Sequence, residues 1–181
     1  MEAGKALAWR QLTEPRWYAC YTRGRAEKKV GELLPRLGIE TFLPLVPRER
    51  IWADRVKQVD WPLFPSYVFA RFPLESVSTV LRTPGVSTIV RLGGEYVPIE
   101  DAEIDNIRRF AEALARRGWD AVQPVTYIGV GDRVRVIDGP FKDVEGIVVR
   151  RRKRDRLVVG LGAIRQGFEV DIPARQLKVL P

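Results

Sequence analysis

The chain has 181 residues, 45% of them hydrophobic and 30% charged, a balance that suits one globular domain or two small ones. It has no histidine and a single cysteine, Cys20, so the usual zinc and nucleophile–base constellations cannot be assembled and a disulfide framework is excluded. The formal net charge of +8 points to a polyanionic partner. No apolar run approaches the ~20 residues needed to span a bilayer. The N-terminal residues carry scattered charge and no apolar centre, unlike a secretory signal. These features predict a non-enzymatic protein without cofactors, working as a monomer in a reducing cytoplasm and away from membranes.

Residues 1–15 read as a tail. Trp17 to Thr22 alternates as a strand, with Trp17, Ala19 and Tyr21 on one face. A helix follows from about Arg25, its apolar stripe set by Ala26, Val30, Leu33, Leu34 and Leu37. Pro35 should kink or end it near Leu34, and Gly38 closes the segment. Ile39 to Val46 reads as a second strand. The polar residues 47–61, with Trp52 and Trp61 set among mixed charges, suggest a long hairpin.

Pro62-Leu63-Phe64-Pro65-Ser66-Tyr67-Val68-Phe69-Ala70-Arg71-Phe72 is the most informative stretch. Its two prolines remove backbone donors and favour an extended approach, after which a strand begins. Val68, Ala70 and Phe72 fall on one face and read as core. Tyr67, Phe69 and Arg71 fall on the other, where a solvated sheet would carry small polar groups. That aromatic face is either covered within the domain or free to dock a partner.

Leu74 to Leu81 predicts a short helix, and Val86 to Leu92 with Glu95 to Ile99 a hairpin across Gly93-Gly94. Ile104, Ile107, Ala111 and Leu114 mark a helix running to about Arg117. The acids Glu100, Asp101, Glu103 and Asp105 suit the positive end of its dipole better than an acid–base site. Together these elements predict an α+β domain, an antiparallel sheet flanked by helices, over 16–117. Residues 118–126 read as a linker. Over 127–181 five short strands punctuated by glycine predict a small all-β barrel: Arg133–Ile137, Val144–Arg151, Leu157–Leu161, Phe168–Ile172 and Gln176–Leu180. This last segment carries 12 basic and 7 acidic residues, most of the excess positive charge.

The run Gly131-Asp132-Arg133-Val134-Arg135-Val136-Ile137-Asp138-Gly139-Pro140-Phe141-Lys142-Asp143-Val144-Glu145-Gly146-Ile147-Val148 resembles a KOW motif. It follows WYACYTRGRAEKKV and PLFPSYVFARF, and the three in this order resemble the NusG family of transcription elongation factors from Trp17 to Leu180. The resemblance implies an NGN-like domain that binds RNA polymerase, a linker, and a KOW domain with an SH3-like barrel. It also implies that Tyr21, Phe64, Tyr67 and Phe69 form the apolar patch that docks on the polymerase clamp helices. The KOW domain would then recruit the small ribosomal subunit or Rho.

Ser66 stands where housekeeping members usually carry glycine. With the Gly85–Arg91 run and the loop Trp52-Ala53-Asp54-Arg55 it looks closer to the specialised antiterminators, RfaH-like and UpxY-like. That resemblance implies contact with non-template DNA. The matching cations are Arg23, Arg25, Lys28, Lys29 and Arg82, and their alternative reading is a solvated helix face. Arg150, Arg151, Arg152, Lys153 and Arg154 form a basic hairpin tip suited to nucleic acid or to solubility. Val158, Val159, Ile164, Val170 and Ile172 favour strands, so the C-terminal part is expected as a stable barrel rather than a helical hairpin. The alternative function is a KOW-containing ribosomal or RNA-binding structural protein, which leaves the N-terminal half without a task.

Overall fold

A computed structural model describes residues 13–52, 55–119, 122–126, 131, 133–151, 154–164, 166–172 and 176–180. Packing divides the chain into two compact units. One runs up to Leu43 and from Phe64 to Asp101; the other comprises Pro44–Leu63 and the chain from Ala102 onward.

The first unit is built around β1 (Arg16–Thr22). On one side β1 pairs antiparallel with β5 (Tyr67–Phe72), which pairs in turn with β2 (Glu40–Phe42). On the other side, β6 (Val86–Ile89) and β9 (Pro98–Ile99) share its edge. Parity along these strands sends Tyr18, Cys20, Val68, Ala70 and Phe72 to one face. There they pack with Val30 and Leu34 of α1 (Glu27–Arg36) and Val80 of α2 (Val77–Arg82). These side chains are almost completely removed from water, at roughly 1.5–3 kcal/mol for each large one. The short β7 (Arg91–Leu92) and β8 (Glu95–Tyr96) turn across Gly93 and Gly94, both at positive φ.

Two local expectations shift. Pro35 is accommodated inside the last turn of α1, which ends at Arg36, because a break so near the C-terminus forfeits little of the helical ladder. The strand expected over Ile39 to Val46 is divided between β2 and β3 (Leu45–Trp52). Pro44 between them has no N–H to donate, and its carbonyl instead accepts from Leu63 N–H at 2.8 Å.

In the second unit β3 pairs with β4 (Arg55–Pro62) over its whole length, the long hairpin expected there. Helix α3 (Asp101–Arg117) buries Ile104, Ile107, Ala111 and Leu114, as its periodicity demands, together with Phe110. The Phe110 ring packs against those of Phe141 and Phe168, with centroids 5.8 and 5.7 Å away. Gly118, at φ 83°, closes α3 by donating to Leu114 O at 2.8 Å.

The sheet beyond α3 has six strands: β10 (Val122–Thr126), β11 (Arg133–Val136), β12 (Glu145–Arg151), β13 (Arg154–Leu161), β14 (Gln166–Asp171) and β15 (Leu177–Val179). Their order is β10-β14-β13-β12-β11-β15, so the C-terminal part is all-β as expected. The predicted turn at Asp138-Gly139-Pro140 is present, with Gly139 at φ 88°. The segment read as a linker contains the extra strand β10. Pro124 lies within β10, which stands at the end of the strand order and among the described residues pairs with β14 alone, and an edge position tolerates its missing donor. Among the described residues no helix is long and apolar enough to cross a membrane.

Candidate functional site

The second face of the first sheet carries the aromatic row. The β1–β5 register sets Tyr21 opposite Tyr67, Ala19 opposite Phe69 and Trp17 opposite Arg71. Directly opposed side chains share a face, so the row foreseen from parity is real. Tyr21 and Tyr67 meet edge to face, with ring centroids 5.3 Å apart at 71°. Tyr21 is 41% exposed and Tyr67 half-buried. Burial, and then the Tyr21 phenol beside it, holds the Tyr67 phenol protonated above its ordinary range.

Phe64 and Phe69 are placed differently. Both are almost completely buried, unlike the partly exposed tyrosines. Phe69 is ringed by Phe42 from β2, at 6.1 Å, and by Phe64, edge-on at 5.8 Å and 90°. Phe69 shares the strand face of Tyr67, two residues further along β5. Further along the row, Arg71 bridges Glu40 at 3.5 Å and Asp101 at 3.7 Å.

A turn aims Tyr67. Ser66 adopts φ 66°, in the left-handed region. Its N–H donates to Glu27 Oε1 at 2.7 Å, and its carbonyl accepts from Thr22 N–H at 2.8 Å. The start of β5 is thus fastened at once to the end of β1 and to the first residue of α1. Glu27 is buried and was not foreseen as part of the site. Its position at a helix N-terminus explains a carboxylate there, but nothing nearby in sequence announces a partner thirty-nine residues away.

Arg23, Arg25, Lys28, Lys29 and Arg82 are all exposed. The backbone draws them around one junction, where Arg23 N–H donates to Gly85 O at 2.9 Å and Arg82 ends α2 just before that loop. Arg25 takes a left-handed φ of 62° ahead of α1, whose first turn carries Lys28 and Lys29. The β12–β13 register sets Arg150 opposite Asp155 and Arg151 opposite Arg154, so this is a hairpin end, while Arg152 and Lys153 lie outside the described residues. Among the described residues no group of three or more acidic or cysteine side chains is placed to hold a metal ion.

A sequence model of the NusG family, described as transcription termination factor nusG, matches residues 15–108. That span holds β1, β5 and the tyrosine pair. The transcription termination/antitermination protein NusG of Thermus thermophilus is 30% identical over 149 residues, covering 73% of this chain and 80% of that one. The chain belongs to the NusG family. The NusG protein of Vibrio vulnificus is 29% identical over 185 residues, covering 94% of this chain and 98% of its own. Of solved structures, one describing domain interaction in Thermotoga maritima NusG is similar at 26% identity and a TM-score of 0.47, covering 93% of this chain and 98% of that one. This NusG-family chain is accordingly of the transcription termination/antitermination class.

Proposed function

We propose that the N-terminal part docks on the clamp helices of RNA polymerase through Tyr21 and Tyr67, and thereby promotes processive elongation. The observation that carries this reading is the tyrosine pair itself. Two aromatic rings stand partly exposed on a sheet face, fixed by an edge-to-face contact, on a strand whose next residue on that face, Phe69, is buried. Rigid, amphipathic, preorganised aromatics are what a protein–protein hot spot requires. A factor that prefers the closed clamp shifts the polymerase toward that state by its differential affinity. The all-β C-terminal domain then recruits a second partner, the ribosome or Rho. The exposed cations around Arg23 and Gly85 are suited to non-template DNA.

An operon-specific role of the RfaH-like or UpxY-like kind draws its support from Ser66, the Gly85–Arg91 run and the Trp52–Arg55 loop, two residues of which, 53 and 54, lie outside the described residues. The relatives named above are NusG proteins, and the docking proposal does not depend on the subtype. The test is binding of the full chain to a clamp-helix hairpin, wild type against Tyr67→Ala. Loss of ~2 kcal/mol or more is the expected result for a hot-spot aromatic. Wild-type binding that Tyr67→Ala leaves unchanged would place docking elsewhere, and no binding at all would favour the RNA-binding alternative.

A further inference from the structure

The β3–β4 hairpin sorts its side chains by charge. Its register pairs Arg48 with Val59 and Val46 with Trp61, with Lys57 two residues before Val59 on the same strand. These pairs occupy one face, because opposed residues of an antiparallel ladder project together and alternate positions repeat the face. Arg48 and Lys57 therefore share a face with Trp61. The acids Glu49 and Asp60 belong to the other face, together with Ile51, 85% exposed, and Val56.

On the basic face, the Arg48 guanidinium lies over the Trp61 ring, 5.6 Å from its centroid, and over the Trp119 ring at 5.5 Å. Trp119 is held there by its indole N–H, which donates to Pro47 O at 3.0 Å. Arg48 and Lys57 are exposed. The face thus presents planar, stackable groups interleaved with cations and no strand carboxylate.

We propose that this face of the β3–β4 hairpin binds single-stranded nucleic acid, its cations meeting phosphates and its tryptophan–arginine stack receiving bases. Cations alone would serve any polyanion. The interleaved planar groups favour a single strand, whose bases are free to stack, over a duplex, whose bases are already covered. None of these residues belongs to the tyrosine pair or to the Arg23 junction, and the proposal stands whether or not the clamp-docking proposal holds.

The test uses the full chain, a labelled mixed-sequence single-stranded DNA oligonucleotide and a salt series. Lys57→Gln removes one positive charge from the basic face, and Ile51→Glu adds one negative charge to the opposite face, so the change in net charge is the same. Lys57→Gln should flatten the slope of log K against log salt by about 0.7, and Arg48→Gln with Lys57→Gln by about 1.4, while Ile51→Glu leaves it unchanged. Binding through the Arg23 junction contributes equally to all variants and cancels in the differences. Lys57 is solvent-exposed, so the single variant reads the interaction without disturbing the fold. Equal losses for Lys57→Gln and Ile51→Glu would mean that net charge alone matters, and would overturn the proposal. So would absence of wild-type binding, or tighter binding to a duplex of the same sequence.

Discussion

Glu27 and Ser66 are thirty-nine residues apart in sequence and share a hydrogen bond of 2.7 Å, Ser66 N–H donating to a buried carboxylate. This bond couples the N-terminus of α1 to the turn that aims Tyr67. Glu27→Ala leaves a buried amide without its acceptor, and the expected loss is about 1.5–3 kcal/mol of stability, the usual cost for a hydrogen bond to a charged group. Glu27→Gln keeps an acceptor and should cost less than half as much. Urea unfolding of both variants measures the difference, and equal losses would show that packing rather than the bond is responsible.

Ser66 itself pays a conformational penalty. A non-glycine residue at φ 66° is strained by about 1–2 kcal/mol. Ser66→Gly relieves this but adds freedom to the unfolded chain, so the net effect should lie between neutral and ~1 kcal/mol stabilising. Ser66→Val, β-branched at the same φ, should destabilise by at least ~1 kcal/mol. Chemical denaturation of the pair checks both signs.

Gly85 carries two constraints where Gly38 carries one. Both have positive φ, 105° and 76°, but a Cβ at Gly85 would stand 2.9 Å from Val30 Cγ2 and 3.2 Å from Ala26 Cβ, while at Gly38 it meets open space. Gly38→Ala should therefore cost about 1 kcal/mol of backbone strain, and Gly85→Ala about 1–3 kcal/mol more for overpacking against α1. Because Arg23 N–H bonds to Gly85 O, Gly85→Ala should also perturb the amide signals of residues 23–26. Equal thermal shifts for the two variants would contradict the close approach.

Alkaline pH should unfold the protein through its core. Burial pushes the Cys20 thiol up to about 12, and burial likewise raises the phenols of Tyr18 and Tyr67. Unfolding returns these groups to ordinary values, so above about pH 9 the unfolded state binds fewer protons than the folded one. Their contribution is fully present below that pH and declines as pH rises toward 12. Cys20→Ala removes the largest of these and should flatten the decline between pH 9 and 12. The native thiol should also react with a disulfide reagent only as fast as the protein opens. Rapid labelling of the folded chain would refute its burial.

Much of the fold is legible in the residues alone because it follows from local geometry. The period-two alternation of Trp17–Thr22 and Tyr67–Phe72 places Tyr18, Cys20, Val68, Ala70 and Phe72 together, and the spacing of Ile104, Ile107, Ala111 and Leu114 fixes the buried stripe of α3. Glycines mark the turns at Gly93-Gly94 and Gly139 because those positions need a positive φ. Alternation also puts Tyr67 and Phe69 on one face, but it cannot say that one is partly open and the other sealed.

That distinction belongs to the tertiary structure. Phe42, from another strand, and Phe64, from the turn before β5, pack against Phe69, while Tyr21 and Tyr67, at the end of the β1–β5 ladder, remain partly exposed. The edge position that lets Pro124 sit in β10 and the Glu27–Ser66 bond share the same origin. Each depends on which segments become neighbours across long separations in the chain. Local periodicity determines which way a side chain points; only the assembled fold determines what it meets there.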